Sequence, residues 1–232
     1  MKDKILLCVD TSGKTLTASV MKNENVLSSY NENTGMTHSC TLMPKIIEMI
    51  EKASITLNDI DYFVCANGPG SFTGLRIGVC AIKGLCNVVK KPMVEVSVLD
   101  GLRENIKNFD GIVCPVIDAR RKEVYTALYH KDNKIMDDCN MSLDKLFEIL
   151  KKQNKPVMFN GDGVISYRDY IKENMGDLCC FSDSENMLQN AVSVGKVALK
   201  KINEGKITDY QNFSVSYLKQ SQPEMQKELQ KR

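Results

Sequence analysis

The sequence predicts an α/β protein of two similar lobes, each with the element order βββαβαβ. Three observations carry that expectation. Hydrophobic periodicity read along the 232 residues gives this order twice, once up to Val98 and again from Ile112 to Phe181. The first strand of each half closes on an aspartate, Asp10 and then Asp118, and a hairpin turn follows each at nearly the same offset (Asn23-Glu24-Asn25, Asp132-Asn133-Lys134). The second strand–helix turns also echo each other, Asn67-Gly68-Pro69-Gly70 against Asn160-Gly161-Asp162-Gly163.

Taken in order, Ile5 to Thr11, Leu16 to Lys22 and Val26 to Tyr30 read as a β-meander. Leu42, Met43, Ile46, Met49, Ile50 and Ala53 then recur at helical spacing over residues 37–53, with Thr41 as a candidate N-cap and Pro44 in the first turn, where its missing N–H costs nothing. A strand at Asp61 to Ala66, a helix from Phe72 to Lys90, and a strand at Pro92 to Val98 complete the first half. A linking helix from Val98 to Lys107 follows. The second half has strands at Ile112 to Ala119, Glu123 to His130 and Ile135 to Cys139, then a helix at Leu143 to Lys151. It closes with a strand at Pro156 to Asn160, a helix at Tyr167 to Asn174 and a strand at Leu178 to Phe181. Met187 to Lys201 is the last long helix. The implied division is a first lobe over 1–100, a second, smaller lobe over 101–208, and a tail over 209–232 that frays at its end.

The stretch Asn67 to Leu85 organises the chain. Gly68-Pro69-Gly70 supplies a tight turn, Ser71 or Thr73 can cap the helix that follows, and its unpaired N–H groups favour an anion above the turn. The glycines are spaced G-x-G-x-x-x-G, one residue too long for a dinucleotide fingerprint, although Glu95 sits about where a ribose acid would be wanted. Gly13-Lys14-Thr15 is a false P-loop match, with Cys8 where the first loop glycine should stand. The helix itself is almost wholly apolar, with charge confined to Arg76, Lys83 and Lys90 on one narrow stripe. Gly74, Gly78 and Ala81 form a small-residue face on which another backbone can approach. Two readings stay open: a core helix packed inside its own domain, or a face that meets a second chain.

Composition narrows the function classes. A net charge of +2 argues against a nucleic-acid binder that works by bulk electrostatics, and the absence of tryptophan argues against a base-stacking platform. Nine cysteines without a C-x-x-C pair point to a reducing cytoplasm without disulfides, and no run approaches the length of a membrane span or a signal peptide. His38 and His130 are the only histidines and have no acidic cluster beside them, so no metal site is expected. Ser71 lies in G-S-F-T-G, which is not a nucleophile elbow.

The doubled βββαβαβ order is that of the actin, Hsp70 and sugar-kinase superfamily, an RNase H-like fold whose nucleotide lies between the lobes. Asp10, Thr11, Ser12, Gly68, Gly70, Ser71 and Thr73 are the anion or nucleotide contacts such a fold would use here. The second phosphate hairpin is missing, because Asp118 is followed by Ala119, Arg120, Arg121, Lys122 and Glu123, with no glycine to let backbone near a phosphate. Asp10 then reads either as a metal-side carboxylate or as an ordinary turn acid.

NGPGSFTGLRIG followed by KGL, with the N-terminal VDTS strand, resembles the TsaB (YeaZ) family. The likeness extends through His38-Ser39, Leu42-Met43-Pro44, Asp118-Ala119-Arg120-Arg121 with Glu123-Val124-Tyr125, Gly161-Asp162-Gly163, Tyr217-Leu218-Lys219 and Ser221-Gln222. Cys40, Lys219 and Pro223 depart from the family pattern. The resemblance implies a non-catalytic, degenerate paralogue of TsaD that binds and activates it in threonylcarbamoyl transfer to the tRNA adenosine next to the anticodon. An ATPase, TsaE, joins the pair, tRNA is met only through the complex, and the protein forms a homodimer when alone. No cofactor is implied for the chain itself, with ATP or ADP and Mg at most at a site shared with partners. The two N-lobe helices become the interface candidates, through Leu42, Ile46, Met49, Gly74, Leu75, Arg76, Gly78, Ala81, Ile82 and Lys83. On that reading Gly78→Leu breaks assembly and leaves the monomer folded. A nucleotide-dependent phosphotransferase is the alternative, and a glycoprotease-type peptidase has neither a metal triad nor a nucleophile pair.

Overall fold

The computed structural model describes residues 3–32 and 37–218. The sequence expectation for the tail beyond Leu218, including Lys219, Ser221, Gln222 and Pro223, lies outside the described residues. The first half forms β1 (Ile5–Asp10), β2 (Leu16–Lys22), β3 (Asn25–Glu32), α1 (His38–Lys52), β4 (Tyr62–Gly68), α2 (Phe72–Val89) and β5 (Met93–Ser97). Its sheet has the order β3-β2-β1-β4-β5, with β1 antiparallel to β2 and parallel to β4. Leu7, Val9, Phe63 and Cys65 point to one face, and Leu6, Cys8, Val64 and Ala66 to the other, and both sets are buried. A sheet covered on both faces needs near-continuous apolar strands, which is why β1 and β4 lack a polar side.

The second half follows α3 (Val98–Glu104). It comprises β6 (Ile112–Asp118), β7 (Glu123–His130), β8 (Asn133–Ser142), α4 (Leu143–Gln153), β9 (Val157–Asn160), α5 (Asp162–Met175) and β10 (Cys179–Phe181), and α6 (Ala191–Asn203) comes after it. The sheet order β10-β9-β6-β7-β8 repeats the topology of the first, as the doubled element order predicts. Three helices start elsewhere than expected. α1 is preceded by Thr37 as N-cap and not Thr41, so Pro44 lies inside the helix beyond its first turn. The last helix begins at Ala191 and not Met187. α5 begins at Asp162 and carries a kink at Tyr167, whose φ of −130° and ψ of 21° are not helical. Periodicity breaks at such a point, so only the stretch from Tyr167 onward read as a helix.

α3 and α6 form a layer between the two sheets. Leu99 and Leu102 of α3, with Val194 and Ala198 of α6, pack in one cluster with Val94 and Val96 of the first sheet and Val113 and Ile117 of the second. The sequence placed the last helix in a second lobe ending at 208, but α6 packs directly against β1, β2 and β5. The small residue at Gly195 allows that approach, since a Cβ there would lie 2.3 Å from Met21 Sδ and 2.9 Å from Cys8 Sγ. Ala191 N also donates to Thr17 Oγ1 of β2 at 2.9 Å.

α1 and α2 cover the opposite face of the first sheet. Their inward residues Leu42, Ile46, Met49, Val79, Ile82 and Cys86 share a cluster with Leu7, Val9 and Phe63. By length and composition α2 passes for a membrane span, which corrects the expectation that no run approaches one. The helix is apolar because one side lies on the sheet. Gly74 and Gly78 face the chain's own β1–β2 hairpin: a Cβ on Gly74 would lie 2.1 Å from Thr11 O, and one on Gly78 would lie 2.4 Å from Thr11 Oγ1. Thr11 Oγ1 donates to Gly74 O at 2.7 Å in the space this leaves. Of the two readings of that face, the internal one holds.

Glu104, at the end of α3, is buried and held by three cations: Lys107 at 2.7 Å, Lys200 of α6 at 2.9 Å and Arg103 at 3.7 Å. Burial works to raise its carboxyl, but the hydrogen bonds from Lys107 and Lys200 outweigh it and the group lies below its ordinary value.

Gly78→Ala is expected to cost about 2 kcal/mol by overpacking against Thr11. Gly84→Ala, where a Cβ would meet nothing within 4 Å, is expected to stabilise the helix by about 0.5 kcal/mol. Thermal melts of the two variants check both signs. Glu104→Gln is expected to lower stability by about 2 kcal/mol at pH 7. A depressed carboxylate stabilises above its unfolded pKa and ceases to do so as pH falls through the folded one. Denaturant titrations should therefore show a constant wild-type advantage above about pH 5 that shrinks below about pH 4.

Candidate functional site

Two regions collect the residues that the sequence singled out. One is the hairpin after β1 where it meets the β4–α2 turn. The other is the outward side of α1 and α2.

At the hairpin, Asp10, Thr11 and Ser12 are all buried. Most of their polar groups are engaged within the chain, whereas Ser12 Oγ is buried without a partner. Asp10 Oδ1 accepts Ser12 N at 2.8 Å, Ser12 O accepts Ser71 N at 2.7 Å, and Ser71 Oγ accepts Gly74 N at 3.2 Å as the helix cap. His38 Nε2 donates to Gly13 O at 2.8 Å. The amide of buried Gln189 packs on Gly13, where a Cβ would lie 2.8 Å from Nε2. Gly68, with φ of +128°, is pressed against Ser216 O, which a Cβ would approach to 2.5 Å. Gly70 is pressed in the same way against Ser12 O, at 2.6 Å. The turn thus brings the sequence-expected contacts Asp10, Thr11, Ser12, Gly68, Gly70 and Ser71 together. What lies above it is the chain's own backbone.

Burial pushes the Asp10 carboxyl up, against hydrogen bonds from Ser12. In the second half, Asp118 Oδ1 accepts Arg120 N at 2.7 Å and Tyr167 OH at 2.8 Å, while Oδ2 accepts Ser166 Oγ at 3.2 Å. Arg120, Arg121 and Lys122 have φ of +66°, +57° and +57°, a left-handed run without a glycine. No cluster of three or more His, Cys, Asp or Glu able to hold a metal occurs among the described residues. The Ser12 amide of the first hairpin is paired with Asp10, and the second hairpin is built from Arg120, Arg121 and Lys122. Thr73, the remaining expected contact, is exposed on α2 away from these bonds.

The interface residues expected from the sequence separate into two groups. Leu42, Ile46, Met49, Gly74, Leu75, Gly78 and Ile82 are buried in the first half's own core, so they are corrected from partner surface to internal packing. The reason is that the small and apolar faces of α2 lie against Thr11 and the sheet. Gly78→Leu would therefore disrupt the monomer. Ala81 is half-buried beside α1. Arg76 and Lys83 reach sideways to the chain's own C-terminal segment. Arg76 Nε donates to Tyr217 OH at 3.0 Å, and Lys83 Nζ donates to Phe213 O at 3.1 Å. Lys90 Nζ stands over the Tyr210 ring at 5.7 Å. The cationic stripe noted in the sequence is therefore the seat of a strap that runs antiparallel to α2, anchored by buried Phe213 and by Ser216 N donating to Asn67 O at 2.8 Å.

What stays open on this side is a strip that the sequence reading passed over. Cys80, Gly84 and Val88 follow one another at i, i+4 on α2, with Val88 74% exposed, and Ile47 of α1 is 54% exposed. The signal was present in the helix pattern. Leu75, Val79, Ile82 and Cys86 already complete a buried face, so the apolar residues at 80, 84 and 88 belong to the other side.

Residues 24–228 match the family model described as TsaD: tRNA N6-adenosine threonylcarbamoyltransferase. The tRNA threonylcarbamoyladenosine biosynthesis protein TsaB of Bacillus subtilis is 34% identical over 175 residues, spanning 74% of this chain and 76% of that protein. Among solved structures, YeaZ from Pseudomonas aeruginosa superposes with a TM-score of 0.75 at 21% identity, covering 93% of this chain and 100% of that one. A ROK hexokinase from Thermus thermophilus, at TM-score 0.52 and 9% identity over 85% of this chain and 99% of its own, shares the fold alone. These likenesses agree with the actin and sugar-kinase type of architecture expected from the repeat. The chain belongs to the TsaB (YeaZ) family and has its role in the biosynthesis of tRNA threonylcarbamoyladenosine.

Proposed function

We propose that this protein is a non-catalytic subunit that binds and activates TsaD in threonylcarbamoyl transfer to the tRNA adenosine next to the anticodon. The observation that carries the reading is the contrast between its two candidate regions. At the hairpin where a nucleotide-using relative would hold phosphate, the Ser12 amide is bonded to Asp10 and the Ser12 carbonyl to the Ser71 amide. The outer strip of α2, by contrast, presents Cys80, Gly84 and Val88 without a covering element among the described residues. An open glycine flanked by exposed apolar residues suits close approach of a partner helix. In this reading TsaE joins the pair, tRNA is met only through the complex, and the protein works in the cytoplasm. When alone it uses the same strip to form a homodimer.

Gly84→Arg and Val88→Asp are expected to abolish the complex with TsaD, measured as mass in solution, while leaving the melting temperature within a few degrees of wild type. Full-affinity binding by both variants would sink the proposal. The isolated chain with ATP and magnesium is expected to release phosphate no faster than buffer. Turnover that Asp10→Ala abolishes would instead establish the phosphotransferase alternative.

A further inference from the structure

A cavity of about 500 Å³ opens at the N-terminal end of β6, the far end of that strand from Asp118. Its wall is built from the end of α3 and the segment after it, from Lys131 and Asp132 in the β7–β8 turn, and from Lys200 of α6. A space of this size admits a small organic molecule.

Donors and acceptors in the wall do not balance. Glu104 is buried and both its oxygens are taken, by Lys107 at 2.7 Å and Lys200 at 2.9 Å. Asp132 Oδ1 accepts from Arg103 Nη2 at 3.2 Å, and its side chain is 90% exposed. Arg103 Nε, by contrast, is buried without an acceptor, and Lys131 Nζ has none among the described residues. Lys107 and Lys200 each give one contact to Glu104 and keep further N–H groups. The one carboxylate left over is Asp110, which is exposed. Four cations therefore face three carboxylates, with the unused hydrogen-bonding capacity almost all on the donor side.

The chemistry of those donors selects among anions. The terminal nitrogens of Arg103 already serve Lys131 O and Asp132, with Glu104 at 3.7 Å, so its planar fork is not free for a carboxylate. What remains is one guanidinium N–H and several ammonium point charges, which suit the oxygens of a phosphate. Buried Ile106 and Val113, beside half-buried Phe109, give the same cavity an apolar side.

We infer that this cavity binds a small phosphate monoester with an apolar or aromatic body. Arg103 Nε, Lys107, Lys131 and Lys200 hold the phosphate, and Phe109 receives the body. The site is separate from the Asp10 hairpin and from the outward side of α1 and α2, and it does not depend on the partner reading.

The test titrates the full chain with phenyl phosphate, inorganic phosphate and benzoate by calorimetry at low and at physiological salt. Phenyl phosphate is expected to bind at least about tenfold more tightly than either of the others, and less tightly as salt rises. Lys131 has φ of +55°, a conformation that asparagine tolerates, so Lys131→Asn removes the charge and keeps the turn. That variant is expected to weaken phenyl phosphate at least about fivefold with an unchanged melting temperature, while Lys152→Asn, outside the cavity wall, stays within about twofold of wild type. Phe109→Leu is expected to narrow the gap between phenyl phosphate and inorganic phosphate. No binding of phenyl phosphate, or an equal loss in Lys131→Asn and Lys152→Asn, overturns the site. Benzoate binding as tightly as phenyl phosphate overturns the phosphate assignment.

Discussion

Burial of α3 and α6 between the two sheets is the interaction on which the remaining structure depends. Leu99, Leu102, Val194 and Ala198 each touch a core that contains strands from both halves, so neither sheet keeps a free inner face. Hydrophobic burial is non-directional, and a shared cluster of this kind makes the two halves one packing unit. The ion cluster around Glu104 reinforces the same layer from its rim, tying α3 to α6 through Lys200.

That layer decides what happens at the site. Seating α6 against β1 and β2 carries Gln189, just before it, onto Gly13, and so fills the space beside the Asp10 hairpin. It also returns the chain toward the first sheet, where Thr208 bridges to Met93 of β5. From there the chain runs along α2, where Arg76, Lys83 and Lys90 receive it. One packing choice thus sets Gln189 beside the Asp10 hairpin and builds the flank of the outward face. The contrast with a nucleotide-using fold lies in hydrogen bonding: a backbone amide already donating to Asp10 has nothing left for a phosphate.

The repeat was legible because it is written in local chemistry. Asp10 and Asp118, the paired turns and the glycine-rich strand–helix junctions each report a backbone requirement that holds wherever the segment lies. α5 was half-read because the kink at Tyr167 interrupts the period, and Tyr167 is held there by a bond to Asp118, 49 positions earlier. The glycine face of α2 was found but assigned to the wrong neighbour. A small-residue stripe states that something approaches closely, and it is silent on whether that is Thr11 or another chain.

The sequence by itself determined the fold class, the element order within each half and the family, since these follow from pattern, spacing and residue type. Only the tertiary structure decided which side of α2 remains open, where α6 belongs, and that the cationic stripe holds the chain's own strap. The physical reason is range. Periodicity and turn chemistry act over a few residues, whereas Arg76 and Tyr217 lie 141 positions apart and meet only because the central layer brings the chain back.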